Sequence, residues 1–540
     1  MKKIEKEIYG TEKGSALALV LVMVAAVSII LTSLLGYITS QVSYSKDRVE
    51  RERAFQVAEA GIFYYRWYLA HEISGRTAEQ INDFWETTGP NCPIGVCSAY
   101  EADFKDFQGN VIGRYRLEVQ KPQLGSTIVM ATSTGWTFKK PSVKRTVRVR
   151  FRRPSWSENI VLANDDMRFG SGTTVNGRIH SNRGVRFDGL ATNVVTSSLP
   201  KYDDLDHNDF GAEKLEFGVH THKMNNGTIV ETYRPNEVPP NPVDSRTDVF
   251  QGGRQFPVAN ISFDSVVSDI SYMRSQAETT ETRFDNSGQG RRIILKTDGT
   301  FDMCTVNSFS ENTAIYNASS NKTDAIVNYI GEVYGASGSY ASTNGTACIT
   351  SSCCIGALCP WISSSNHNRG KCYSMSNHTI PNNGVIFVAN HIWLEGTINN
   401  RKVSIVAAEL SDESENTGGK KNVFLGMDNL LYTNTDGSDI IGVIAQNNVK
   451  VIRDSLTNLT IDAALLAKDG RVGRDYYNGT IKNSITINGS IATNLRYGFS
   501  YTNGTGYIIR NLNFDNNLLY YPPPYFPTGT EYAIDQWEEL

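Results

Sequence analysis

The 540-residue chain carries 52 basic and 56 acidic side chains, for a formal net charge of −4. So even a balance produces no strong field, which argues against bulk attraction to nucleic acid or long-range steering of a charged ligand. With 26 Tyr and abundant Asn and Ser, the surface instead offers amphipathic contact area and adaptable hydrogen bonding.

No charge occurs between Lys13 and Lys46, and the densest apolar stretch runs from Leu17 to Leu35. This is close to the roughly 20 residues that cross a bilayer as a helix. A secretory signal has a shorter apolar core of roughly 7–15 residues followed by polar mature sequence. Here more helix follows. Lys2, Lys3, Lys6 and Lys13 precede the span, whereas acids and bases mix after it. The basic excess predicts a cytoplasmic N-terminus and an external bulk. Beyond the span, Phe55, Ala58, Ile62, Tyr65 and Leu69 step by three and four, the period of an apolar helical stripe. A helix over 15–71 would be on the order of 85 Å long at 1.5 Å rise per residue, with Gly75 as its stop. Tyr115, Leu117 and Val119, and later Val147, Val149 and Phe151, alternate with charged residues as half-buried strands do. Residues 127–135 read as a strand between them. The basic cluster over 139–153 follows the same alternation, so it reads as the solvated face of a strand rather than a nucleic-acid site.

A charged leader ending in Lys13-Gly14, an uncharged helix from Ser15, Arg-rich turns and the stretch AFQVAEAG (54–61) resemble the N-terminal region of type IV minor pilins. The X-type minor pilins and K-type pseudopilins are the subset most resembled. The resemblance covers residues 1–155 and implies cleavage between Gly14 and Ser15 by a prepilin peptidase. It also implies partnership with other pilin subunits and inner-membrane pilus assembly proteins, and filament packing through Leu19, Phe55, Ala58, Glu59 and Gly61. Read singly, Glu59 is a solvated charge and Gly61 a close-packing position. Two places depart from major pilins, which begin with Phe and carry Glu at the fifth mature position; this chain has Ser15 and Leu19 there. That Glu is thought to neutralise a neighbour's terminal amine, so its absence points to a tip or priming subunit rather than a repeat unit.

From Pro154 helical periodicity fades and short β-branched runs alternate with Asn-Gly and Asp-Gly turns, predicting an all-β body. The recurrence of Val175-Asn176-Gly177-Arg178-Ile179 and Ile487-Asn488-Gly489-Ser490-Ile491 favours a parallel β-helix or solenoid, with sandwich and propeller as alternatives. The fold class is therefore mainly β. Its parts are a leader (1–14), a transmembrane and arm helix (15–72), a small α+β pilin-like sheet (73–154), a β body (155–530) and a tail (531–540). Residues 201–290 and 308–383 read as insertions into the body. The Tyr- and Pro-rich segment 520–527 and Trp537 are expected to cap the last coil.

The eight cysteines form an even set, and an exported compartment permits disulfides. Cys92 pairs with Cys97 because the two are isolated and near in sequence. Cys304 joins Cys348, Cys353, Cys354, Cys359 and Cys372 in three further bonds whose connectivity the sequence leaves open. The cluster lacks zinc-knuckle spacing, and His367 and His378 are the nearby imidazoles. His220-Thr221-His222 alternates as metal ligands on a strand do, but with no third ligand evident it reads as an exposed loop pair. The doublets Asp165-Asp166 and Asp203-Asp204 could divide acid and nucleophile roles, yet adjacent strand residues face opposite ways and turn acids are common. No nucleophile elbow, zincin helix, phosphate loop or dinucleotide fingerprint occurs. Asn226, Asn458 and Asn488 head Asn-x-Ser/Thr triplets that arise from turns. No catalytic residue, metal or cofactor is expected. The expectation is a pilus-borne minor pilin whose β body contacts a cell surface or polymer; the alternative is a membrane-anchored β-helix that binds or cleaves polysaccharide.

Overall fold

The computed structural model describes residues 13–73, 75–86, 99–122, 126–206, 214–263, 266–288, 290–306, 310–317, 322–326, 376–411, 419–453, 455–477, 479–529 and 531–540. The chain is mainly β behind one long helix, α1 (Lys13–Ile73). From Ala16 to Lys46 it is exposed, and it reaches a mean hydropathy of 2.8, long and apolar enough to cross a membrane. From Ala54 the helix buries one stripe, Ala54, Val57, Ala58, Ile62, Tyr65, Leu69 and Ile73. Four of the five predicted stripe residues are fully buried, and Phe55 is half-buried at the margin. Gly75 ends the helix with φ +75°, a conformation that strains side-chain-bearing residues.

The stripe packs on an antiparallel sheet of β1 (Tyr100–Lys105), β2 (Val111–Gln120), β3 (Ile128–Thr137) and β4 (Lys144–Arg152). The predicted alternation holds in β2 and β4, and the strand expected over 127–135 alternates too: Tyr115, Leu117, Val129, Ala131, Val147, Val149 and Phe151 face the helix, with Val119 partly buried at the margin. A short helix, α2 (Ala78–Glu86), adds Ile81 and Trp85 to the same core.

The expected tail is instead the fifth strand of this sheet. Ala533–Glu539 pairs antiparallel with β4, setting Trp537 opposite Val149 and its ring 6.1 Å from that of Phe63. Trp537 therefore caps no coil. The basic edge of β4 selects this strand by charge: Arg150 meets Asp535 at 2.8 Å, Arg148 meets Glu538 at 3.8 Å, and Arg145 pairs with Glu539. The β body is thus inserted between two neighbouring strands, and its two connections touch: Gly529 N donates to Pro154 O at 2.7 Å.

Within the body, Val161–Ala163 pairs in parallel with Ile179–Ser181, which pairs with Val195–Ser197, which pairs with Arg254–Gln255. On its other side Val161–Ala163 pairs with residues 491–493, and parallel pairing continues through 464–467, 442–445, 404–407 and 385–388 to Arg283–Phe284. The start and end of the body therefore meet inside one ladder. Residues 254–255 and 283–284, read as insertion, belong to it, and the same segment carries a helix, α3 (Val266–Glu278).

Strands such as Val385–Val388 and Ile440–Ala445 are buried at every position, so both faces need cover. One face joins the main core. The other packs against Ile270, Met273 and Ala277 of α3 and against Phe526. The Pro-rich segment accordingly lies along the side of the ladder, where Ser404 Oγ donates to Pro524 O at 2.6 Å, rather than over its end.

The repeated Asn-Gly pattern has a physical basis here. Asn176 donates to Asn513 (2.8 Å), Asn513 to Asn488 (2.9 Å) and Asn488 to Asp462 (2.8 Å), stitching successive strands. Asn488→Ala should cost about 1–3 kcal/mol by leaving Asn513 and Asp462 short of a partner; chemical denaturation of the full chain checks it, and an unchanged midpoint would count against the ladder.

Asp269 in the first turn of α3 is buried, which pushes its carboxyl up to about 7 against the opposing pull of Arg153. The folded state keeps this proton to higher pH than the unfolded chain, so stability declines between the ordinary carboxylate value and about 7. Asp269→Asn should remove that decline and stabilise the chain above pH 7 by on the order of 2–4 kcal/mol. Melting curves across pH 4 to 8 test this, and parallel wild-type and variant profiles would refute it.

Candidate functional site

The residues expected to act in filament packing divide along α1. Gly14 and Ser15 lie in its first turn, and Leu19 is 59% exposed within the apolar span. Three of the span's hydroxyls bond back to its own carbonyls: Ser28 to Val24 (2.7 Å), Thr32 to Ser28 (2.9 Å) and Thr39 to Leu35 (2.9 Å). Those three would ask no further partner of an apolar surrounding. Ala58, by contrast, is buried against the sheet, and a Cβ at Gly61 would lie 2.3 Å from Ser133 Oγ and 2.8 Å from the Tyr115 ring. Ala58 and Gly61 therefore serve the helix–sheet contact within the chain. Phe55 and Glu59 are half-buried at its edge, and burial raises the Glu59 carboxyl. Glu50, which sequence reasoning did not single out, is buried in the same contact and accepts from Thr137 Oγ1 at 2.7 Å.

A second constellation lies in the segment read as an insertion. Lys201–Asp203 and Leu215–Phe217 form a short antiparallel pair, and Val219–His220 pairs in parallel with Val185 and Arg186. These elements bring Asp204, Glu216, His220 and His222 together, all four buried, with their ligand atoms within 4.8 Å of one another. The two histidines are fully buried rather than an exposed loop pair, and Asp204 is a buried acid rather than a solvated turn residue. The further ligands not evident beside the histidine pair are Asp204, read from the sequence only as half of a carboxylate doublet, and Glu216, which the sequence reading did not single out.

His222 Nδ1 lies 2.8 Å from Val230 O, so that nitrogen carries the proton and Nε2 turns toward Glu216 Oε1 at 3.0 Å. His220 Nε2 is 3.0 Å from Glu216 Oε2 and 3.5 Å from Asp204 Oδ2. Neither ring nitrogen of His220 reaches an acceptor at a hydrogen-bonding angle. Burial disfavours a charged His220, but the two carboxylates outweigh it and raise the imidazole to about 9. Burial likewise opposes ionisation of the carboxylates, yet His220 and His222 hold Glu216 down to about 2, and His220, the Asp206 amide and Arg186 hold Asp204 well below the usual carboxylate range. Arg186, fully buried, approaches Asp204 only at 3.5 Å, because Asp188 and Glu231 take its shorter bonds of 2.8 Å.

The other carboxylate doublet is structural. Asp165 accepts from Arg496 N at 3.2 Å, and Asp166 accepts from Gly184 N at 2.9 Å and Arg183 Nε at 3.3 Å, joining neighbouring strands. A cleft nearby is lined by Arg168, Asp206, Glu231, Arg471, Arg496 and Arg510 among others. Carboxylates already answer Arg168, Arg471 and Arg496, while Arg510 donates to backbone carbonyls and Thr173. Cys304 is buried and disulfide-bonded. Cys92, Cys97, Cys348, Cys353, Cys354, Cys359, Cys372 and His367 lie outside the described residues, and His378 packs its ring on Phe301.

No family model matches the chain, and no curated protein matches it. Among solved structures, the competence-associated pilin ComZ from Thermus thermophilus aligns with 91% of this chain and 98% of its own. The identity is 12% and the TM-score 0.28, values at which the likeness carries no argument about fold or function.

Proposed function

We propose that this chain is a minor pilin-like subunit of a type IV pilus or related filament. In this reading a prepilin peptidase cuts between Gly14 and Ser15. The N-terminus faces the cytoplasm, the bulk lies outside, and α1 enters a filament of other pilin subunits with the help of inner-membrane assembly proteins. The β body, wound as a solenoid from its parallel ladders, is carried at the tip and acts by adhesion to a cell surface or polymer rather than as an enzyme. The observation that supports this most is α1 itself: one continuous helix of 61 residues whose uncharged half is exposed and whose second half docks on an antiparallel sheet. A plain membrane anchor has no need of such continuity. Leu19, where major pilins carry Glu, favours an end position over a repeating one.

Mass spectrometry of the terminal peptide of protein recovered from host membranes tests the reading. A mature terminus at Ser15, methylated or not, is the expected result. An intact Met1, or a cut beyond the apolar span, would leave an anchored or secreted β protein and return the polysaccharide reading to first place.

A further inference from the structure

We propose that Asp204, Glu216, His220 and His222 bind one zinc ion as a closed structural centre, independently of any role in a filament. The donor set is two imidazole nitrogens and two carboxylate oxygens, which suits a borderline first-row cation and not the all-oxygen preference of magnesium or calcium. Around a tetrahedral ion with ligands at about 2.0–2.2 Å, neighbouring ligand atoms stand about 3.3–3.6 Å apart. With Glu216 Oε2 and Asp204 Oδ2 as the carboxylate donors, the four separations from the imidazole nitrogens scatter around that spacing: 3.0 Å and 3.5 Å from His220, 3.2 Å and 3.9 Å from His222.

Three further features point to a cation. His220 Nε2 is fully buried, aimed among the two carboxylates, and makes no hydrogen bond. A protonated nitrogen there would lack a well-directed acceptor, whereas a metal ligand needs none. The proton on His222 Nδ1 is fixed by Val230 O, the outer contact that orients a ligating imidazole through its other nitrogen. Finally, Asp204 and Glu216 bring two negative charges into a site where Arg186 is already engaged by Asp188 and Glu231. One divalent ion with neutral imidazoles balances them. All four ligands are buried with no open side, so the centre is structural: it ties the strand pair 201–203/215–217 to the segment carrying the histidines.

The test uses the full chain, purified in detergent without added metal or chelator, with elemental analysis by mass spectrometry. About one zinc per chain is expected. Chelation should lower the melting temperature by about 5 °C or more, and added zinc, not magnesium, should restore it. Cobalt substitution should give the intense visible bands of a tetrahedral ion. Glu216→Gln and His220→Ala should each reduce retained zinc at least ten-fold, which separates this centre from cysteine-bound metal. If either variant fails to fold by circular dichroism, the wild-type chelation and cobalt results decide. A wild-type chain whose melting is indifferent to both chelator and zinc overturns the proposal, as do folded variants that retain zinc unchanged.

Discussion

Deleting residues 531–540 should destabilise the helix-bearing module by about 4–6 kcal/mol and leave the chain prone to association. The deletion removes Tyr532, buried in the module core, and Ile534, packed against it, side chains worth about 1.5–3 kcal/mol each. It also removes Asp535, Glu538 and Glu539, the partners of the β4 arginines, exposed pairs worth about 0.2–1 kcal/mol apiece. The larger consequence is topological. β4 would become an open edge whose unpaired backbone groups and alternating apolar face invite strand addition from another molecule. Guanidinium unfolding and light scattering of wild type and deletion measure both effects. Asp535→Asn with Glu538→Gln is the control and should cost about 1 kcal/mol in total, since the ladder survives. A deletion as mild as this charge control would mean that the fifth strand adds nothing to the sheet.

Gly135→Val should be the most damaging single substitution in the module, at about 3 kcal/mol or more. A Cβ at Gly135 would lie 2.3 Å from Ala58 N and 2.5 Å from Ala54 O, and both are helix backbone. No rotamer change relieves such a contact, so α1 must lift from β3 and release the buried stripe of Val57, Ala58 and Ile62. Gly61→Ala tests the same interface from the helix side. Its Cβ meets Ser133 Oγ and the Tyr115 ring, side chains that can turn away, and the expected cost is about 1–2 kcal/mol. The ranking is the result to measure, by thermal unfolding and by protease sensitivity of α1. Equal effects, or a benign Gly135→Val, would show that the helix does not approach the sheet this closely.

The elements legible from sequence were those with a long period. The α1 stripe spans several turns, and β2–β4 alternate over nine or ten residues each, so their patterns survive without knowledge of partners. The Asn-Gly recurrence was also legible, because stacked asparagines must repeat in place. By contrast α2 was missed although its start was written in the sequence. Thr77 and Gln80 form a reciprocal cap, Thr77 N to Gln80 Oε1 at 3.0 Å and Gln80 N to Thr77 Oγ1 at 3.3 Å. The Asp204–Glu216–His220–His222 cluster gave less to find. Its supporting strands are two or three residues long, too short to show a period. Asp204 sits where a turn acid is ordinary, and only burial distinguishes it. Ala533–Glu539 failed for a different reason: a strand's place depends on its neighbour, and this neighbour lies at the far end of the chain.

That last pairing sets an order on synthesis. β4 precedes the whole β body and Ala533–Glu539 follows it, so the sheet on which α1 rests stays one strand short until that body has been synthesised. The delay carries little entropic cost, because the folded body already holds Pro154 against Gly529 and delivers the final strand beside its partner. A prematurely terminated chain, however, keeps its apolar span while lacking the closing strand. In such a chain the β4 edge stays unpaired, so the β body, and not the helix-bearing module alone, decides whether that sheet closes.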